Sequence, residues 1–292
     1  MAASRDRWAE WLAERRFGGD ESVRADVLAK LARTRDIVLD RAGPVGGETV
    51  LDVGCGEGLI GFGALERGAA TIVFSDISSD LLAVCRETAS DLGLLERCRL
   101  VEAAADDLAP IGDASVDLVT TRSVLIFVEE KAQAFSEFAR VLRPGGRISL
   151  YEPINRFANT ENAGRRFAGY DLTGLGQIAT KLHDLYDAIQ PPDDPMLDFD
   201  ERDLIRLAEQ AGFFPIDLML NAAVEPLPPR DWDGLLDTAG NPNVPTLREA
   251  MEQALTTHER GQLTSHLRPL VEQGRGTWRM AHAFLTASKP EN

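Results

Sequence analysis

The 292-residue sequence predicts an α/β fold, a mostly parallel β-sheet covered by helices on both faces. Three observations carry this. Short apolar runs alternate with helix-periodic segments from Thr49 to Pro153. The first run, TVLDV, leads into a glycine-rich turn that opens a helix. The second run, TIVFSD, ends on an acid where a parallel strand would reach its carboxyl tip. With 44% hydrophobic residues, the chain can bury one large domain, or one domain with a sizeable accessory part.

Each element follows in order. From about Trp8 to Asp40 the apolar residues recur at helical spacing (Trp8, Trp11, Leu12; Val27, Leu28, Leu31), which predicts two helices. AGPVGGE then breaks the pattern. TVLDV is followed by a helix near Glu57–Arg67, and TIVFSD by one near Asp80–Leu92. CRLVEA precedes a short loop, VDLVTTRSV leads to a helix near Glu129–Leu142, and GRISLYEP closes the run. These are five strands with crossover connections.

Beyond Pro153 the rhythm changes. Residues 155–196 are mixed and end in the breaker cluster QPPDDPM. DERDLIRLAEQAG reads as a helix, FPIDLMLNAAV as a strand, TLREAMEQALTTHE as a helix and TWRMAHAFLTAS as a last strand. Connections as long as residues 155–196 and 225–276 predict helical insertions with a function. The expected division is an N-terminal helical lid over 1–42, a ligand-binding core over 43–153, a helical insertion over 154–199, and a C-terminal part of the core over 200–292. That last part carries its own helical insertion at about 225–276.

A net charge of −16 argues against nucleic acid, which needs clustered cations. No apolar run approaches the roughly 20 residues of a membrane span. The start, MAASRDRWAEWLAERR, lacks the apolar core of a secretory signal, so the expectation is a cytoplasmic protein without a membrane partner. Cys55, Cys85 and Cys98 show neither paired nor metal-ligand spacing, which predicts reduced thiols and no metal site.

The stretch VLDVGCGEGLIGFG, Val50 to Gly63, holds five glycines. Gly56-x-Gly58-x-x-Gly61 fits a dinucleotide turn, whose mechanism places a pyrophosphate at a helix N-terminus. Asp52 would stand close to that anion, and two like charges ~4 Å apart cost up to ~4 kcal/mol at a surface-like dielectric. A cationic ligand reverses the sign. S-adenosylmethionine (SAM) carries a sulfonium and an ammonium and no phosphate. The glycines would let the backbone approach its methionine half, with Asp52 beside the cations. Asp76 at the tip of the second strand suits an acceptor for both ribose hydroxyls, a diol that SAM and NAD share, and disfavours NADP. Either aspartate alone could equally be a helix cap or turn residue. Read as a solvent-facing ribose ligand, Asp76 should affect affinity far more than stability.

VLDVGCGEG, FSDIS, AAADDL, ASVDLVTTRSVLIFV and RVLRPGGRISLYEP resemble, in order and at proper distance, the motifs of the class I SAM-dependent methyltransferases. The resemblance covers roughly Thr49 to Pro153, plus the strands near Phe214–Val224 and Thr277–Ser288. It implies a Rossmann-like seven-stranded sheet with an antiparallel last strand, SAM as cofactor and S-adenosylhomocysteine (SAH) as product. By that resemblance Asp52, Gly54, Cys55 and Gly56 hold the methionine portion, Asp76 the ribose, and Ile77 packs on the adenine. Many relatives have an aspartate where this chain has Ala104; Asp106 could take over its contact with the adenine amino group, with the Ala105 N–H on a ring nitrogen. Arg122 matches a position beside the methionine moiety, facing either the SAM carboxylate or the acceptor.

Methyl transfer mainly needs a positioned acceptor and, where necessary, one proton removed. Candidates for a base are Glu152 and Tyr151 at the tip of the fifth strand and His183 in KLHDLYD. His183 also reads as an ordinary surface histidine, because the adjacent Asp184 does not face it on a helix. His258, His266 and His282 have no partner pattern and receive no role. Arg33 or Arg35 in the N-terminal lid could pair with the SAM carboxylate, while Trp8 and Trp11 read as packing on the sheet's edge. Residues 155–196 form the natural acceptor cap, with Phe157, Phe167, Tyr170 and Tyr186 as its aromatics. The leading expectation is methyl transfer to nitrogen or oxygen of a small molecule or short peptide. A non-catalytic SAM-binding sensor or partner-binding module and an NAD-dependent oxidoreductase are the competing readings.

Overall fold

The computed structural model describes residues 5–158 and 165–291, and the side chains of residues 21 and 22 are left aside. Residues 1–4 of the expected lid and 159–164 of the expected cap lie outside the described residues. The strands of the main sheet are β1 (Thr49–Val53), β2 (Thr71–Asp76), β3 (Cys98–Glu102), β4 (Val116–Arg122), β5 (Leu142–Pro153), β6 (Ile216–Pro226) and β7 (Thr277–Ser288). Their order is β3-β2-β1-β4-β5-β7-β6. The first five run parallel, and β7 lies antiparallel to β5 with Tyr151 opposite Phe284. This is the Rossmann-like seven-stranded sheet that the sequence predicts. The helices are α1 (Glu21–Ala42), α2 (Leu59–Glu66), α3 (Ser79–Asp91), α4 (Lys131–Val141), α5 (Gly176–Ile189), α6 (Glu201–Gln210), α7 (Trp232–Leu236), α8 (Leu247–Ala254) and α9 (Thr257–Glu272).

The described chain divides into two compact units. One contains Ala29–Ile154, Phe199–Asn221 and His282–Asn292. Its central strands are continuous apolar runs because both faces are covered: Val50, Leu51, Ile72 and Leu118 are fully buried. On one face Val38 and Leu39 of α1, Ile60 and Ala64 of α2 and Cys85 of α3 close over Ile72 and Phe74. Phe135 and Phe138 of α4 are likewise fully buried, each worth roughly 1.5–3 kcal/mol relative to an exposed ring. The other unit contains the described residues of Met1–Leu28, Asn155–Asp198 and Ala222–Ala281. It is helical, with Tyr170, Ile178, Leu182, Trp232, Leu247, Leu263 and Leu267 in its own core. A two-stranded ribbon, Arg166–Phe167 with Tyr170–Asp171, precedes α5.

Two expectations change. TLREAMEQALTTHE is two helices: Leu255 is extended, and Thr256 starts α9 with a capping box to Glu259. β5 begins at Leu142 rather than Gly146, because Val116 pairs with Leu142 before the register shifts and Leu118 meets Arg147. Within the helical unit, Trp11 Nε1 donates to the Ala239 carbonyl at 2.9 Å. Among the described residues no helix is long and apolar enough to cross a membrane.

Gly61 sits inside α2, where alanine would ordinarily gain about 0.5–1 kcal/mol. Here a Cβ would stand 2.3 Å from the Phe74 ring and 2.9 Å from Ile72. Overpacking of that kind costs roughly 1–3 kcal/mol and outweighs the gain. Gly61→Ala is therefore expected to lower stability in urea unfolding by about 1 kcal/mol or more; an increase would show that α2 can slide away from β2.

Candidate functional site

The glycine turn fills the step from β1 to α2. Gly54, Gly56 and Gly58 have φ of +60°, +54° and +81°, a region that L side chains avoid. Space is lacking too: a Cβ on Gly54 would lie 2.4 Å from Val124, and one on Gly58 2.6 Å from Phe62. The sequence places glycine there because the backbone turns left and lies against its neighbours.

Asp52 is 1% exposed. Its Oδ2 accepts the Gly61 N–H at 2.9 Å and its Oδ1 accepts the Thr120 hydroxyl at 3.0 Å. The carboxylate ties β1 to α2 and β4, and each oxygen keeps a lone pair. Burial pushes its carboxyl up to about 7, against the pull of the Gly61 and Thr120 hydrogen bonds and of Arg122.

Asp76 is not the solvent-facing group that its strand-tip position suggests; it is 7% exposed. Its Oδ2 accepts from Gly56 N–H and its Oδ1 from Ser78 N–H, both at 2.9 Å. The helix cap itself is Ser78, whose hydroxyl accepts from Leu81 N–H at 3.1 Å. Asp76 thus fixes both the glycine turn and the start of α3. Beside it Ile77 is 50% exposed, an apolar surface at the strand tip. Beyond β3, Ala105 and Asp106 occupy the tight turn from Ala104 to Asp107, whose N–H donates to the Ala104 carbonyl at 3.2 Å. The turn is tied back by Ala103 N–H donating to the Asp76 carbonyl at 3.1 Å. The strand-tip residues Asp52, Gly54, Cys55, Gly56, Asp76, Ile77, Ala105, Asp106 and Arg122 all belong to the sheet unit.

At the tip of β4, Arg122 pairs in register with Tyr151 of β5. Its guanidinium makes no hydrogen bond or ion pair among the described residues, although it is partly buried. Burial pushes it below its ordinary value, while Tyr151, Asp52, Glu152 and Glu57 pull it back up. The Tyr151 ring lies 5.0 Å from Phe284 and 5.3 Å from His282, both on β7. His282 is held below its ordinary value by burial and by Lys30, which favours the neutral imidazole. Sequence reading gave His282 no role, and no local signal could have, because only the antiparallel β5–β7 pairing brings it to Tyr151.

Glu152 points to the opposite face and is fully buried. Its Oε1 accepts from Val124 N–H at 3.0 Å, Leu125 N–H at 3.1 Å and the Thr121 hydroxyl at 3.3 Å; its Oε2 accepts from Ile126 N–H at 3.4 Å. Ser123, at φ +58°, turns the chain sharply so that these N–H groups converge. Burial pushes the carboxyl up to about 7 against those bonds. Its oxygens are taken up in shaping the turn after β4. His183 lies in the helical unit, 6.3 Å from the Phe167 ring, with a buried Nε2 that has no hydrogen-bond partner. It is half-buried rather than an ordinary surface histidine. Arg35 donates to its neighbour Asp36 at 2.9 Å and lies over Gly63 of α2. Arg33 is exposed. Among the described residues no group of histidines, cysteines and acids could hold a metal.

This donor set fits a nucleoside that carries a cationic chain. The turn leaves no room for a Cβ, an apolar residue flanks an acid at the strand tip, and a carboxyl group titrating near neutrality lies beneath the turn.

Comparison with known proteins agrees. Residues 51–150 match the family model described as a methyltransferase domain. A ubiquinone/menaquinone biosynthesis C-methyltransferase of Hahella chejuensis is 31% identical over 181 residues, which span 60% of this chain and 70% of that protein. Its counterpart in Idiomarina loihiensis is 29% identical over 182 residues, spanning 61% and 71%. Among solved structures, geranyl diphosphate methyltransferase in complex with SAM superimposes with a TM-score of 0.54 at 18% identity, over 93% of this chain and 92% of that one.

The buried Glu152 sets a pH dependence. Its carboxyl rises from 4.5 to about 7 on folding, so the unfolded chain releases its proton first and stability falls as pH climbs through that window. At about 1.4 kcal/mol per pH unit the loss reaches up to about 3 kcal/mol. Glu152→Gln is expected to flatten the decline in urea-unfolding stability between about pH 5 and pH 8 by part of that amount. An unchanged slope would mean that Glu152 does not titrate in this range.

Proposed function

The chain belongs to the class I SAM-dependent methyltransferases, and from that premise we propose that it methylates a small molecule or short peptide at nitrogen or oxygen. When bound, SAM supplies an electrophilic methyl group on a sulfonium that is a good leaving group. The protein's part is then to bind, orient and exclude water. We assign Gly54, Cys55 and Gly56 to the methionine half, Asp76 to the ribose, Ile77 to the adenine face, and Ala105 and Asp106 to the adenine edge. Asp52 acts from beneath the turn, holding it through Gly61 and supplying negative charge on the side where the cations lie.

The observation that carries the acceptor reading is the face formed by Arg122, Tyr151 and His282 at the carboxyl ends of β4 and β5. An unpaired guanidinium beside two rings suits a small polar acceptor with a flat or anionic portion. The charge of −16 supports an acceptor other than RNA or DNA. Residues 155–196 and about 225–276 we assign to acceptor choice, as segments inserted between elements of the sheet. The free thiols Cys55, Cys85 and Cys98 support a reducing, cytoplasmic setting. Tyr151 and His282 offer a proton acceptor on this face, whereas Glu152 points to the other with its oxygens occupied.

A second reading, methylation at carbon, is favoured by the names of the relatives from Hahella and Idiomarina, both C-methyltransferases. SAH formation from SAM, measured with amine, phenol, carboxylate and hydroquinone probes, separates the two. Turnover with the first three classes is expected on our reading. Turnover confined to hydroquinones, with the new methyl on a ring carbon by NMR, would replace it with the second. SAM binding without SAH formation in the presence of cell extract would leave the sensor reading.

A further inference from the structure

Cys55 sits within the glycine turn and Cys85 on α3 beneath it, and their sulfurs are 4.0 Å apart. Both also meet one backbone atom: the Gly56 carbonyl lies 3.2 Å from Cys85 Sγ and 3.7 Å from Cys55 Sγ. Cys55 is 7% exposed and Cys85 is fully buried. Cys98, partly buried on β3, is the third thiol.

We propose that Cys55 and Cys85 form an oxidative modification site, a disulfide made by peroxides that displaces the cofactor turn and that bound cofactor prevents. The Cys55 thiol releases its proton and the thiolate attacks one peroxide oxygen; the O–O bond breaks, and the leaving hydroxide takes up that proton, giving a sulfenic acid and one water. The Cys85 sulfur then displaces the hydroxyl of that sulfenic acid as a second water. Two sulfurs lose two electrons, the peroxide gains them, and the S–S bond closes.

A disulfide needs the sulfurs about 2 Å apart, so roughly 2 Å of approach must be found. Cys55 belongs to the turn, so the approach draws on the turn's own backbone, and it disturbs the Gly56 carbonyl that lies against both sulfurs. The Gly56 N–H is the donor to Asp76 Oδ2, so a shift at Gly56 disturbs the turn and the second strand tip together. The hydrogen bond with Cys85 and burial hold the Cys55 thiol well above its ordinary range, so a closed turn oxidises slowly. Oxidation therefore passes through opening of the turn, and a cofactor seated on the turn opposes it.

The proposal rests on the turn being the cofactor's seat, and the test keeps the two apart. The full-length chain, reduced and then treated with hydrogen peroxide with or without saturating SAH, is alkylated and mapped by peptide mass spectrometry. SAH affinity is measured by calorimetry before and after. The expected result is a Cys55–Cys85 link that forms about tenfold more slowly with SAH, an affinity lower by about tenfold or more, and recovery with dithiothreitol. In Cys85→Ser no link can close, and peroxide is expected to lower SAH affinity less than it does in the parent protein. A link to Cys98, sulfinic acids without a link, or a link that leaves affinity unchanged would overturn the proposal. Linking at the same rate with bound SAH would overturn it as well. If the reduced protein bound no SAH, the cofactor reading would fall, and the peptide map alone would judge the bridge.

Discussion

The site depends on one buried hydrogen-bonded carboxylate. Asp52 has lost nearly all contact with water and faces no ion pair among the described residues, only the Gly61 N–H and the Thr120 hydroxyl. A carboxyl group in that position is costly in its charged form, which is why it titrates near 7 rather than near 4. Its bond to Gly61 ties the start of α2 to the end of β1. The glycine turn between them then has only one path, through three left-handed residues.

The other two strand-tip acids repeat the device with different partners. Asp76 gathers Gly56 N–H from the turn and Ser78 N–H from the approach to α3, while Glu152 gathers three N–H groups after β4. Loops at the carboxyl ends of parallel strands leave backbone donors without ladder partners, and a carboxylate is a compact way to satisfy several at once. These acids are organisers of backbone first. Arg122 is the exception at the strand tips, a partly buried cation that the described protein leaves without a hydrogen bond.

Much of this was legible in the sequence. The alternation from Thr49 to Pro153 specified the parallel strands because the central β1 and β2 are buried on both faces, while β3 at the edge alternates, and the apolar pattern reports that burial directly. The glycines and strand-tip acids were legible for the same local reason. What was hidden is non-local. The partners of Asp76 and Glu152 are backbone atoms whose direction depends on a completed turn, so Asp76 read as solvent-facing and Glu152 as a base. The approach of His282 to Tyr151 needs the β5–β7 pairing, made across more than a hundred residues of intervening chain. The break at Leu255 was a local signal, the Thr256–Glu259 capping box, passed over inside a stretch with helical composition.

The central claim is that the charge of Asp52 answers to a cation on the glycine turn. SAM and SAH share the same ribose, adenine and amino-acid groups and differ in the sulfonium, so their difference isolates that charge. Calorimetric titration near pH 7, repeated in buffers of different ionisation heat, counts the protons released by each. SAM is expected to release about half a proton more than SAH, as a carboxyl group titrating at about 7 becomes fully ionised. That difference should vanish in Asp52→Asn. Equal proton release by the two ligands in the parent protein would contradict the account and leave Asp52 a structural acid only.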